Sequence, residues 1–301
     1  MVGLVTQNGL FALVSAELAE VEGRLHAPTG GNGHLLGAVA RHALAPGGKR
    51  IRPALLLLAA HACGGGERER AVTLAAVAEM MHAATLIHDD IVDHASTRRG
   101  RPSAKAVWGA DVSVLVGDFL YARAIQTLVA DGDVGILRAF ADAAVCMAEG
   151  EILQLERLRD LDISEADYLR ILTGKTAALM SATCRVGAIV AAAPPPWAEA
   201  LAAFGMDLGI GFQLVDDALD YTARAERLGK PVASDFREGK ITYPLIHVMR
   251  VSSAEDRGSL EAMGRRDALA DGDVTVLRGL VERYEAVPPS SVDAMTCVRG
   301  G

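Results

Sequence analysis

A helical period that runs almost unbroken along the chain constrains this protein more than any other feature. Leu10, Leu13, Val14, Leu18 and Val21 recur at steps of three and four residues, the spacing that gathers apolar side chains on one face of an α-helix. The stretches Val72–Ile87, Val112–Val129, Ile136–Leu158 and Ala198–Leu219 are longer, rich in Ala and Leu, and apolar over a broad face. Strand-type alternation never persists, and no Asn-Gly or Asp-Gly turn separates two β-branched runs. Pro28–Gly33, Pro46–Gly48, Gly64–Gly66, Arg99–Pro102, Asp131–Gly132 and Pro194–Pro196 read as loops. Ser164, with Asp167 three residues on, predicts an N-cap ahead of Tyr168–Leu172. The expected fold is all-α, one domain over residues 1–301 of about ten helices, with the first helix inside residues 1–30.

Composition narrows the function classes. With 301 residues, half of them hydrophobic, the chain can bury a sizeable core, which excludes disorder as its main state. Thirty Lys and Arg against 38 Asp and Glu give a net charge of −8, the wrong sign for a general nucleic-acid binder. Aromatics at 4% leave little to stack on bases. A mean hydropathy of +0.23 raises the membrane. The longest dense apolar runs, Ala54–Cys63 and Val186–Ala193, are shorter than the ~20 residues of a bilayer span, so no transmembrane segment is expected. The N-terminus lacks a basic region and is soon followed by Glu17, Glu20 and Glu22, unlike a signal peptide. Cys63, Cys146, Cys184 and Cys297 are widely spaced, which argues against a zinc cage or disulfide framework and for a reducing cytoplasm.

Two short segments carry the chemistry. Asp89-Asp90-Ile91-Val92-Asp93 and Asp216-Asp217-Ala218-Leu219-Asp220 both read D-D-x-x-D inside apolar helical sequence. Positions i and i+4 share a helix face, so Asp89 projects with Asp93, and Asp216 with Asp220. Carboxylates crowded on one face repel each other unless a cation sits among them, and Mg²⁺ prefers such oxygens together with water and phosphate. A solvated helix face would explain one copy about as well. Two copies, each beside strongly apolar sequence, favour the metal.

The cations point to the ligand. Gly47-Gly48-Lys49-Arg50-Ile51-Arg52-Pro53 places a flexible loop and three cations at a helix start, a natural phosphate site. Arg98 and Arg99 follow the first aspartates, and Lys175, Lys230 and Lys240 lie near apolar helices. Gly174-Lys175-Thr176 is not a P-loop, because Leu169 stands where the upstream Gly is required and no strand precedes it. Any one of these cations could be an ordinary surface charge. Together with the acidic clusters they imply diphosphate substrates.

These residues resemble those of the trans-isoprenyl diphosphate synthases, the head-to-tail prenyl chain elongation enzymes. GGKRIRP (Gly47–Pro53), LIHDDIVDHASTRRGRPS (Leu86–Ser103), VLVGDFLYARA (Val114–Ala124), GKTAAL (Gly174–Leu179), GFQLVDDALDY (Gly211–Tyr221) and EGKITYPLI (Glu238–Ile246) occur in that family's order. Within the family they look most like the long-chain members, the octaprenyl, solanesyl and decaprenyl diphosphate synthases. The resemblance implies a large helical bundle around a central cavity and a homodimer. It gives Asp89, Asp93 and Asp216 to Mg²⁺, three ions in all, with Asp90, Asp217 and Asp220 in support. Arg98, Lys175, Lys240 and Lys230 would grip the allylic diphosphate, and Gln213 and Thr176 would lie close to the reacting carbon. Lys49, Arg52, His82 and Arg99, assisted by Arg50, would bind isopentenyl diphosphate. The primer would be farnesyl or geranylgeranyl diphosphate.

Product length is expected to depend on the face upstream of Asp89, where Ala84 and Thr85 are small and Met81 lies beyond them. A long all-trans polyprenyl diphosphate, a quinone side-chain precursor, is the expected product. The alternatives are the same reaction stopped at farnesyl or geranylgeranyl diphosphate, or a partner-dependent subunit. The sequence departs from the family at Ala233-Ser234-Asp235, and the part from 251 to 301 is divergent and short. The protein is expected in the cytoplasm, with the membrane surface as a further station for an insoluble product.

Overall fold

The computed structural model describes residues 9–26, 34–44, 48–98, 100–222, 232–266 and 271–287. Arg99, Lys230 and the tail 288–301 lie outside them. The fold is all-α, and the described residues gather into two compact units.

One unit comprises Asn8–Ala144 and Ala178–Met206. After a 3₁₀ turn at Phe11–Val14, it holds α1 (Ser15–His26), α2 (His34–Ala43), α3 (Ile51–Ala62) and α4 (Arg68–Val92). A two-residue hairpin, β1 (Thr97–Arg98) and β2 (Arg101–Pro102), pairs Arg98 with Arg101 where the sequence predicts only a loop. Then come α5 (Ala104–Trp108), α6 (Ala110–Asp131), the start of α7 (Val134–Glu156), all of α9 (Ala178–Val190) and the first half of α10 (Pro195–Thr222). Pro195 and Pro196, read as loop, occupy the first turn of α10, where a missing N–H costs nothing and the fixed φ suits a helix. Helix α4 packs against α6, α3 and α1, and α9 packs on α3. Gly187 makes that last approach close: a Cβ there would stand 2.3 Å from Leu56 O. Leu56, Leu57, Leu74, Val77, Leu120, Ile136 and Phe140 are almost wholly buried in this core.

The other unit comprises Val145–Ala177 and the chain from Asp207 onward. It contains the end of α7, α8 (Glu165–Leu172), a π-helical turn (Thr173–Ala177) and the second half of α10. It closes with α11 (Ser234–Arg237), α12 (Tyr243–Val251), α13 (Ala254–Gly264) and α14 (Asp271–Arg283). Ser164 caps α8 as predicted, its Oγ accepting from Asp167 N at 3.0 Å. The core is built from Tyr168, Ile171, Leu172, Tyr221, Phe236, Leu245, Val248 and Leu260.

Among the described residues three helices, α4, α6 and α10, are long and apolar enough to cross a bilayer by length and composition. Ala-rich windows with few charges reach that hydropathy without an unbroken apolar run, so run length alone does not separate these helices from membrane spans. In α4, 67% of that window is buried inside the protein, so its apolar surface is already used in the fold.

Candidate active site

The first acidic cluster ends α4. Asp93 is the C-cap, and His94 enters the left-handed region at φ 52°. The N–H of Ala95 bonds Asp90 O at 3.0 Å and that of His94 bonds Ile91 O at 3.3 Å, the double closure that stops a helix sharply. Three carboxylates thus sit at the negative pole of a helix dipole, which disfavours each anion by about 0.3–1 kcal/mol. Asp89 and Asp93 are half-buried, whereas Asp90 is 4% exposed. The Asp90 carboxylate accepts from Arg98 Nε at 2.7 Å. Burial pushes the Asp90 carboxyl above the ordinary range, and the Arg98 guanidinium works against that rise. Asp90 therefore anchors Arg98. Tyr121 on α6 stands close enough to Asp89 to have its hydroxyl pKa raised, by burial first and by that charge second.

The second cluster lies in the last turns of α10, again at a negative pole. Asp216 is half-buried. Asp217 is 3% exposed and accepts from Tyr168 Oη at 2.6 Å and Gln213 Nε2 at 2.8 Å. Gln213 Oε1 accepts in turn from Thr176 Oγ1 at 2.9 Å. Asp220 is fully buried and accepts from Ser234 Oγ at 2.8 Å and from the Asp235 N–H at 3.0 Å, so it fixes the turn into α11. That turn carries the departing Ala233-Ser234-Asp235, and Ala233 adopts φ 56° there.

Lys175 projects from the π-helical turn, where Nζ meets Gln154 Oε1 at 3.1 Å and Glu151 Oε2 at 3.6 Å. Gly150 and Gly174 hold that turn against α7 with almost no side chain between, since a Cβ on Gly174 would lie 2.6 Å from Cys146 O. Lys240 follows Gly239, at φ 83°, and its Nζ pairs with Glu238 at 2.7 Å.

At the start of α3, Lys49 is exposed and Arg52 half-buried, beside the helix's free backbone amides. Arg50 departs from its sequence assignment to a diphosphate. It is the N-cap, held at φ 47°, and its side chain runs inward to Glu22, Glu79 and Leu44 O. Both glutamates lie on helices of the same unit; burial works against the Arg50 charge, but its hydrogen bonds and ion pairs with Glu22 and Glu79 outweigh that and raise its pKa. His82 is half-buried on α4, and Thr85 Oγ1 returns to His82 O at 2.8 Å. Ala84 and Met81 are buried.

Sequence reasoning missed Tyr168, Glu151, Gln154, Ser234, Glu22 and Glu79, the residues that hold the named ones in place. Glu79, a charge inside the apolar run Val72–Ile87, was the one visible signal. Among the described residues no group of three or more His, Cys, Asp or Glu could hold an ion unaided. Paired carboxylates with hard oxygen donors still suit Mg²⁺, which takes the rest of its shell from water and substrate phosphate.

The polyprenyl synthetase family profile matches residues 34–280. An all-trans-nonaprenyl-diphosphate synthase (geranyl-diphosphate specific) of Rhodobacter capsulatus is 42% identical over 247 residues, covering 82% of this chain and 74% of that protein. The octaprenyl diphosphate synthase of Escherichia coli is 41% identical over 243 residues, 81% of this chain and 75% of the relative. A crystal structure of a polyprenyl synthase from Caulobacter crescentus, complexed with calcium and isoprenyl diphosphate, superposes with a TM-score of 0.89 at 38% identity, covering 96% of this chain and 88% of that one. The chain belongs to the polyprenyl synthetase family and is a prenyltransferase.

Proposed function

We propose that this prenyltransferase condenses isopentenyl diphosphate head-to-tail with farnesyl or geranylgeranyl diphosphate. It repeats the step until a long all-trans polyprenyl diphosphate, a quinone side-chain precursor, is formed. The observation that carries the reading is the placing of two aspartate motifs at the negative poles of α4 and α10. Such sites call for a cation. The similarity to long-chain synthases supports the product class.

Asp89, Asp93 and Asp216 are the carboxylates that would hold Mg²⁺, three ions in all. When bound, Mg²⁺ supplies Lewis-acid neutralisation of the leaving diphosphate. Arg98, Lys175, Lys240 and Lys230 grip the allylic diphosphate, with Arg98 aimed by Asp90. Lys49, Arg52, His82 and Arg99 bind isopentenyl diphosphate. As the allylic C–O bond breaks, the double bond of isopentenyl diphosphate attacks the cationic carbon. A proton then leaves to diphosphate oxygen, giving an allylic diphosphate one unit longer. Gln213 and Thr176, joined by a hydrogen bond of 2.9 Å, would lie close to the reacting carbon.

A homodimer is supported by Leu115, Ile125 and Val129, which are 66%, 52% and 62% exposed along α6. The protein works in the cytoplasm and meets the membrane surface when it releases product.

The test is a product assay with Mg²⁺, isopentenyl diphosphate and each primer, read by mass spectrometry. Products of roughly forty to fifty carbons, within the family's long-chain class, support the reading. Fifteen- or twenty-carbon products would keep the chemistry and replace the long-chain part. Bound diphosphates with no product would replace it with a partner-dependent subunit.

A further inference from the structure

We propose that Tyr168 is a positioning residue for prenyl transfer, acting through Asp217 on Gln213 and Thr176. The inference rests on the function proposed above. It stands on one buried run of hydrogen bonds inside a single unit. Tyr168, 2% exposed on α8, donates to Asp217 Oδ2 at 2.6 Å. The other oxygen of Asp217 accepts from Gln213 Nε2 at 2.8 Å, and Gln213 Oε1 accepts from Thr176 Oγ1 at 2.9 Å.

The direction of each bond follows from the groups themselves. A buried carboxylate flanked by donors can only accept, so Gln213 must turn its NH₂ toward Asp217 and its carbonyl oxygen toward Thr176. Thr176 must then spend its proton on Gln213, which leaves its lone pairs pointing elsewhere. The Asp217 carboxylate thereby sets the amide flip and the hydroxyl rotor of two neighbours. Tyr168 keeps that carboxylate in place by a charge-assisted bond from a fixed aromatic ring. The pattern matches that of Asp90, which holds Arg98 in the first cluster. In each motif the middle aspartate is buried and serves a neighbouring side chain.

The experiment is steady-state kinetics on the whole protein as Tyr168→Phe, Gln213→Leu and the double variant, with KM for both substrates. Tyr168→Phe keeps the ring and removes one hydroxyl. The expected result is a kcat lower by roughly tenfold to a hundredfold, the scale of a small misplacement of reacting groups, with both KM values within about twofold. In the Gln213→Leu background the same change should cost almost nothing more, because the link is already cut. A loss that multiplies in full in the double variant, or a kcat unchanged in active protein, overturns the proposal. If Tyr168→Phe does not accumulate as folded protein, Asp217→Asn takes its place in the same cycle with Gln213→Leu. Non-additivity is again the expected result, and additivity again overturns it. A wild-type protein without prenyl transfer would refute the underlying function instead, so the two failures are distinct.

Discussion

Replacing Arg50 by Met should cost this protein more stability than any change to an exposed cation. The Arg50 side chain is 9% exposed and that of its partner Glu79 8%, at 2.5 Å. Glu22, with a side chain 32% exposed, accepts from two Arg50 nitrogens, and Leu44 O accepts at 2.8 Å. Removing one partner of a buried ion pair leaves the other charge uncompensated, at about 3–5 kcal/mol. Glu22 is wet enough to be worth at most about 1 kcal/mol of that. The expected loss is therefore about 3–4 kcal/mol, a fall in Tm of roughly 5–6 °C for a chain of 301 residues. Urea denaturation followed by circular dichroism reads it as a lower midpoint. Arg50→Met in a Glu79→Gln background should cost less, by at least about 1 kcal/mol, because no buried anion is then stranded. A single-variant loss below about 1 kcal/mol, or full additivity, would refute the reasoning that Arg50 is an internal staple.

Gly174→Ala drives a methyl to 2.6 Å from Cys146 O and 2.7 Å from Gly150 Cα, both backbone atoms, so the π-helical turn must shift. A destabilisation of about 1–3 kcal/mol with a lower kcat is expected, and an unaltered melting curve would contradict the close packing. Asp131 is held below its ordinary carboxyl pKa of 3.8 by the Arg70 guanidinium, at 2.7 and 2.8 Å, with burial opposing. Its contribution is complete above the ordinary value and lost as pH falls through the lower folded one, so Asp131→Asn should flatten the stability profile below about pH 4. An equally steep acid limb in both proteins would remove that linkage. Ala84→Phe puts a bulky ring at a fully buried position one turn before the first aspartates. Shorter products are expected by mass spectrometry, together with about 1–3 kcal/mol of overpacking, and unchanged length would end the steric argument.

Sequence alone determined the helices and the chemistry they bear. Periodicity is local, so α4, α6 and α10 could be read within a few residues of their ends, and the cap at Ser164 needed only its neighbours. The aspartates and cations stood out because like charges crowd apolar stretches. The family's ordered motifs could be read without coordinates. Tertiary structure alone decided which of those charges look outward. Arg50 and Lys49 are adjacent in one motif, yet Arg50 turns inward to Glu79, 29 residues on, while Lys49 is exposed. Asp216 and Asp217 are adjacent too, yet Asp217 is claimed by Tyr168, 49 residues away, through packing of α8 that no period reveals. A helix fixes which side chains share a face, but which face is buried, and against which partner, is settled only when distant segments pack.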